Sequence, residues 1–164
     1  MLAAGTGYTW AATALGWGPR VVSSLRELVD MELGPSSWIE IPQSRIDAFA
    51  AATDDPQWIH TDPERAAAGP FGTTIAHGFL TLSLCVPMLY ELLPTGKGMV
   101  VNYGVDRVRF PAPVPSGSRI RGRFRVASVE DTSGGERATI EAVVECEGVE
   151  KPVCVAQLVV LTVP

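Results

Sequence analysis

The run 78–93, GFLTLSLCVPMLYELL, constrains the fold more than any other part of the chain. Glu91 is its one charged side chain. Phe79, Leu82, Val86 and Leu89 form one helical stripe, and Leu80, Leu84 and Met88 form another. A helix that is apolar nearly all round is expected to be buried. Pro87 is expected to free the carbonyl of Ser83 and to kink the helix there. No apolar run reaches the roughly 20 residues that a membrane-spanning helix needs.

The chain that follows reads as β. Residues 99–110 are a strand candidate, followed by the turn-rich PAPVPSG. In 119–126, Arg119, Arg121, Arg123 and Arg125 alternate with Ile120, Gly122, Phe124 and Val126. In 137–147, Ala138, Ile140, Ala142, Val144 and Cys146 share a face opposite Glu141, Glu145 and Glu147. A hairpin of these two strands sets the arginine row against the glutamate row. Residues 153–163 are almost wholly apolar and read as a central strand.

Upstream, 23–31 reads as a short helix capped by Ser23 or Ser24. Residues 38–41 read as a short strand ending at Pro42, and 45–53 as a helix. Residues 54–76 read as a long loop with a helical turn at 63–68. The expected fold is α+β, an antiparallel sheet of about four strands wrapped around one long helix.

A length of 164 residues suits one such domain, and 46% apolar against 19% charged residues supports a real core. Residues 1–22 are expected to be a poorly ordered extension, and 23–164 the folded domain. Arg20 is the first charged side chain, so the N-terminus lacks the basic region of a secretory signal. A net charge of -5 argues against nucleic acid or an anionic membrane as partner. The three cysteines have no metal-binding spacing and an odd count, which fits reduced, buried thiols in a cytoplasmic protein.

Two places carry chemistry. In DPQWIH, Asp55 and His60 are five residues apart, which is too far round to share a helix face. They converge if the helix ends near Asp54 and the chain turns back, and Pro56 favours that ending. A carboxylate beside an imidazole moves protons near neutral pH. The same spacing also fits a solvated helix end followed by a loop histidine. The second place is TTIAHG at 73–78. Gly78 there lets a ligand approach the first, unpaired amides of the apolar helix, which suit a developing oxyanion. It fits equally a glycine that permits close packing. His77 reads as a structural hydrogen-bonding residue. Gln57, Ser83 and Asn102 are the further candidates for substrate contact, and no metal site is expected.

The segment DDPQWIHTDPERAA resembles the hydratase-2 motif of the MaoC-like (R)-specific enoyl-CoA hydratases, G-D-x-N-P-L-H. Asp55 and His60 match its catalytic pair, and Gly78 in AHGFL matches the glycine whose amide holds the thioester oxygen. QWIH and GPFGTTIAHGFLTLSL are most similar to the nodulation protein N-like subgroup. The resemblance spans about residues 23–163. It departs at Asp54, where the family has glycine, at Gln57 and Trp58, and at Val86, where some members carry serine. The resemblance implies a single hot-dog domain and a homodimer. It implies reversible hydration of trans-2-enoyl thioesters to (R)-3-hydroxyacyl thioesters by Asp55 and His60, with either as acid or base. Coenzyme A or an acyl carrier is then part of an acyl-CoA-type substrate, with no cofactor. Two other readings use the same fold, a hot-dog acyl-CoA thioesterase and a non-catalytic acyl-thioester-binding module. Arg107 and Arg109, before the PAPVP turn, are candidates for coenzyme A phosphate contact, alongside the arginine row.

Overall fold

The computed structural model describes residues 24–93 and 99–163. The expected N-terminal extension lies outside them. Six strands and four α-helices follow in the order β1 (Glu32–Leu33), β2 (Ile39–Glu40), α1 (Gln43–Thr53), α2 (Trp58–Thr61), α3 (Pro63–Ala67), α4 (Gly78–Leu92), β3 (Met99–Arg109), β4 (Arg119–Thr132), β5 (Gly135–Cys146) and β6 (Cys154–Val163). The strands form one sheet in the order β1-β4-β5-β6-β3, with β2 also paired to β4. The named strand pairs are all antiparallel. This is the expected hot-dog architecture, with two short extra strands along the free edge of β4.

Strict alternation does the work in β4. Ile120, Phe124 and Val126 are fully buried on the inner face, against α4 and the other core side chains. The arginines face outward, and β5 meets them in register. Arg121 pairs with Glu145, Arg125 with Glu141 and Arg119 with Glu147. Arg119–Glu147 is exposed and the other two pairs are half-buried, so they set register more than they add stability. Hydrophobic burial under the sheet carries the fold.

Three local readings need correction. The 23–31 segment is not a helix of that length. It is a 3-10 turn over Leu25–Leu28, capped by Ser24. The chain leaves it because Asp30 takes a positive φ of 63° and Val29 bridges to Val126 on β4. The 54–76 segment is not one loop, because α2 forms inside it. Finally, α4 is not buried all round. Leu80, Thr81, Cys85, Met88 and Leu89 are buried, whereas Phe79 is 69% exposed, and Ser83, Pro87 and Tyr90 are exposed as well. The sheet of one chain covers only one side of a helix.

Candidate active site

The site begins with the end of α1. Asp54 caps that helix in the left-handed conformation, φ 53° and ψ 36°, with its N–H on the Ala50 carbonyl. That conformation crowds any Cβ, which is why helices so often end on glycine. Position 54 is where the resembled motif carries glycine, and the backbone gives the reason. Asp54→Gly is therefore expected to stabilise the fold by up to about 1 kcal/mol, read as a higher urea midpoint at unchanged slope. The left-handed residue turns the chain back, and Asp55-Pro56-Gln57 leads straight into α2, which carries His60.

His60 is buried, and its Nδ1 lies 2.7 Å from the Ile75 carbonyl oxygen. A carbonyl only accepts, so Nδ1 carries the hydrogen and Nε2 keeps a free lone pair. Burial lowers the pKa of this imidazole below its ordinary value. The Ile75 hydrogen bond opposes that shift, His77 adds to it, and Asp55 opposes it. The resting ring is thus neutral with Nε2 as acceptor. The mirror arrangement holds at His77, where Nε2 donates to the Asp55 main-chain carbonyl at 3.0 Å. Its Nδ1 is buried without a partner among the described residues. The two imidazoles stack with centroids 3.7 Å apart and planes at 25°.

Asp55 is exposed, and its Oδ2 lies 3.9 Å from His77 Nε2. One carboxylate oxygen and one nitrogen from each histidine fall within 4.8 Å of one another. Such a donor set can hold an ion or move a proton.

Gly78 opens α4, so its amide has no acceptor within the helix and sits at the positive dipole end. It shares a cleft of about 300 Å³ with His60, Phe71, Thr81, Phe110 and Val153. A Cβ at position 78 would lie 2.7 Å from the Phe110 ring, so glycine is what lets that aromatic lie across the helix start.

His60 and Gly78 therefore line one cleft, and the Asp55 carboxylate sits beside His60 outside its lining. The other three candidates do not line that cleft. Gln57 is exposed at the start of α2, and its main-chain carbonyl accepts the His60 amide at 2.9 Å. Ser83 donates to the Phe79 carbonyl at 2.8 Å. Ser83 and Asn102 line a separate depression of about 580 Å³ with Val86, Pro87, Tyr103 and Val105. Arg109 and Arg107 are exposed on β3, and the arginine row of β4 is engaged by glutamates.

Gln43 escaped sequence reasoning. Its amide nitrogen holds the His60 carbonyl at 2.7 Å and its oxygen accepts from Thr74 at 2.5 Å. It thereby ties α1, α2 and the 70s loop together. A polar residue in a first helical turn gives no such signal, because its partners lie 17 and 31 residues away.

Residues 24–150 match the model of the MaoC like domain. The chain is 51% identical over 142 residues to 3-hydroxyacyl-thioester dehydratase Z of Mycobacterium tuberculosis, covering 85% of this chain and 93% of that protein. It is 46% identical over 137 residues to nodulation protein N of Rhizobium leguminosarum, covering 81% and 85%. Among solved structures, the R-hydratase PhaJ1 of Pseudomonas aeruginosa superposes with a TM-score of 0.67 at 25% identity, covering 82% of this chain and 81% of that one.

Proposed function

Since the chain belongs to the MaoC-like dehydratase family, a family of hydro-lyases, we propose that it interconverts trans-2-enoyl and (R)-3-hydroxyacyl thioesters in the cytoplasm. The observation that carries this reading is the set of groups centred on His60, which lines the cleft with Gly78. It comprises a neutral His60 with Nε2 free, the Asp55 carboxylate beside that ring, and the Gly78 amide, which has no acceptor within α4.

In hydration, a water oxygen bonds to C3 and the C2=C3 electron pair shifts toward the thioester carbonyl. The Gly78 N–H supports the negative charge that collects on that oxygen. One water proton passes to His60 Nε2. Asp55 accepts a hydrogen bond from the other water hydrogen, and its charge favours the imidazolium. The imidazolium then hands its proton to C2 on the same face, and the ring returns to neutral. Dehydration runs these steps in reverse. The sequence takes no metal or redox cofactor, and the coenzyme A or carrier arm arrives with the substrate.

The test follows loss of enoyl absorbance with crotonyl-CoA and longer enoyl-CoAs, with chiral analysis of the product. An (R)-3-hydroxyacyl product is expected. Inertness at every chain length sinks the reading, and release of free thiol would assign a thioesterase instead.

A homodimer belongs to the same proposal. β3 is an edge strand of 11 residues, exposed over most of its length, with Met99, Tyr103 and Val105 outward. Long apolar edges pair with other chains. The uncovered face of α4 adds Phe79 and Tyr90. Light scattering is expected to give about twice 17.5 kDa, and Val105→Lys to shift the protein toward monomer.

A further inference from the structure

We propose that His77 is a positioning residue, whose Nε2–H holds the Asp55 main-chain carbonyl while its ring backs the His60 imidazole. This rests on the hydratase reading and adds a role that the Asp55–His60–Gly78 set does not contain. Three observations carry it. The 3.0 Å bond fixes the main chain of Asp55 at the point where it leaves the left-handed turn. The stack, at 3.7 Å, covers one face of His60. The remaining nitrogen, Nδ1, is buried and unpartnered. An unpaired buried acceptor costs stability, so packing alone would be better served at this position by a ring without nitrogens. The nitrogen that does bond reaches the catalytic aspartate.

The titratable groups beside His77 are Asp55, from the α1–α2 turn, and His60 on α2. Phe49 of α1 packs against its ring at 5.0 Å, and Thr81 of α4 hydrogen-bonds its carbonyl. Removing the imidazole without removing a ring is thus a clean change. His77→Phe keeps the stack and loses the donor. His77→Gln loses the ring but carries an amide N–H that reaches the same carbonyl.

Both variants are assayed with crotonyl-CoA beside wild type and Asp55→Asn. Misplacing a reacting group by about 1 Å costs on the order of 10²-fold in rate. His77→Phe is expected to lose about that in kcat with KM little changed, and His77→Gln to recover most of it. The chain has two histidines, so the Phe variant leaves one imidazole Cε1–H signal, that of His60. Its NMR titration midpoint is expected to rise, because the neighbour that disfavoured its charge is gone. A Phe variant with wild-type kcat overturns the proposal, and a Gln variant no better than Phe overturns the hydrogen-bonded clamp. If Asp55→Asn keeps full activity, it is the hydratase reading that fails. The His60 midpoint then still tests the contact with His77.

Discussion

Asp55→Asn and His60→Gln are each expected to lower kcat for crotonyl-CoA hydration by about 10²–10⁴-fold, the usual contribution of a positioned acid–base group. Thermal unfolding should move far less than activity for Asp55→Asn, because Asp55 is exposed and its side chain fills no core space. The two losses should not add in the double variant, since both groups act on one water. The pH profile gives an independent check. His60 accepts a proton only when neutral, and burial lowers its pKa. The rate kcat/KM is therefore expected to rise with pH through a midpoint below the ordinary imidazole range, then level off at neutrality. Stability follows the same sign. The unfolded chain binds a proton at His60 more readily than the folded one, so folding weakens as pH falls through about 6.5 and continues to weaken down to the folded midpoint. His60→Gln should flatten that part of the stability curve.

The largest structural effect is expected at Phe124. It is fully buried on the inner face of β4 and is the largest of the fully buried side chains among the described residues. A Cβ on Gly122 would lie 2.7 Å from its ring and 3.0 Å from the Met88 sulfur, so the aromatic folds into the space that glycine leaves beside Met88 of α4. Phe124→Ala removes that ring and leaves a cavity, at a cost of about 3–5 kcal/mol. A domain of this size has roughly 5–15 kcal/mol in total. Urea unfolding should show a sharply lower midpoint with an unchanged slope. Arg121→Ala, on the outer face of the same strand, should cost less than about 1 kcal/mol despite its ion pair with Glu145.

The long elements were legible because their patterns are long. Alternation over 119–126 and 137–147 predicted β4, β5 and their facing charges. The apolar run predicted α4 to within a residue at its end. Short elements were not, since four residues of α2 and two of β1 carry no period. Hydrophobicity also overstated how far α4 is covered, because composition does not say which chain covers a face. At the site, spacing and Pro56 left open whether Asp55 and His60 converge, and the resemblance to the hydratase-2 motif carried that reading. His77 was legible as a hydrogen-bonding residue, but its partner was hidden, since the bond to Asp55 spans 22 residues. The tautomer of His60 was hidden for the same reason, resting on a carbonyl 15 residues away.

The three buried thiols turn the core into a recorder of its own opening. Cys85 lies in α4, Cys146 ends β5 and Cys154 begins β6, and all three are free. An alkylating reagent reaches a shielded sulfur only when the local structure parts. Cys85 and Cys154 touch each other, so brief labelling followed by mass analysis would time two neighbourhoods, the contact of α4 with β6 and the end of β5, without any engineered probe. Synchronous modification would mean that helix and sheet let go together. Early modification at Cys146, at the end of the hairpin, would mean that the sheet opens from its margin while the helix still holds.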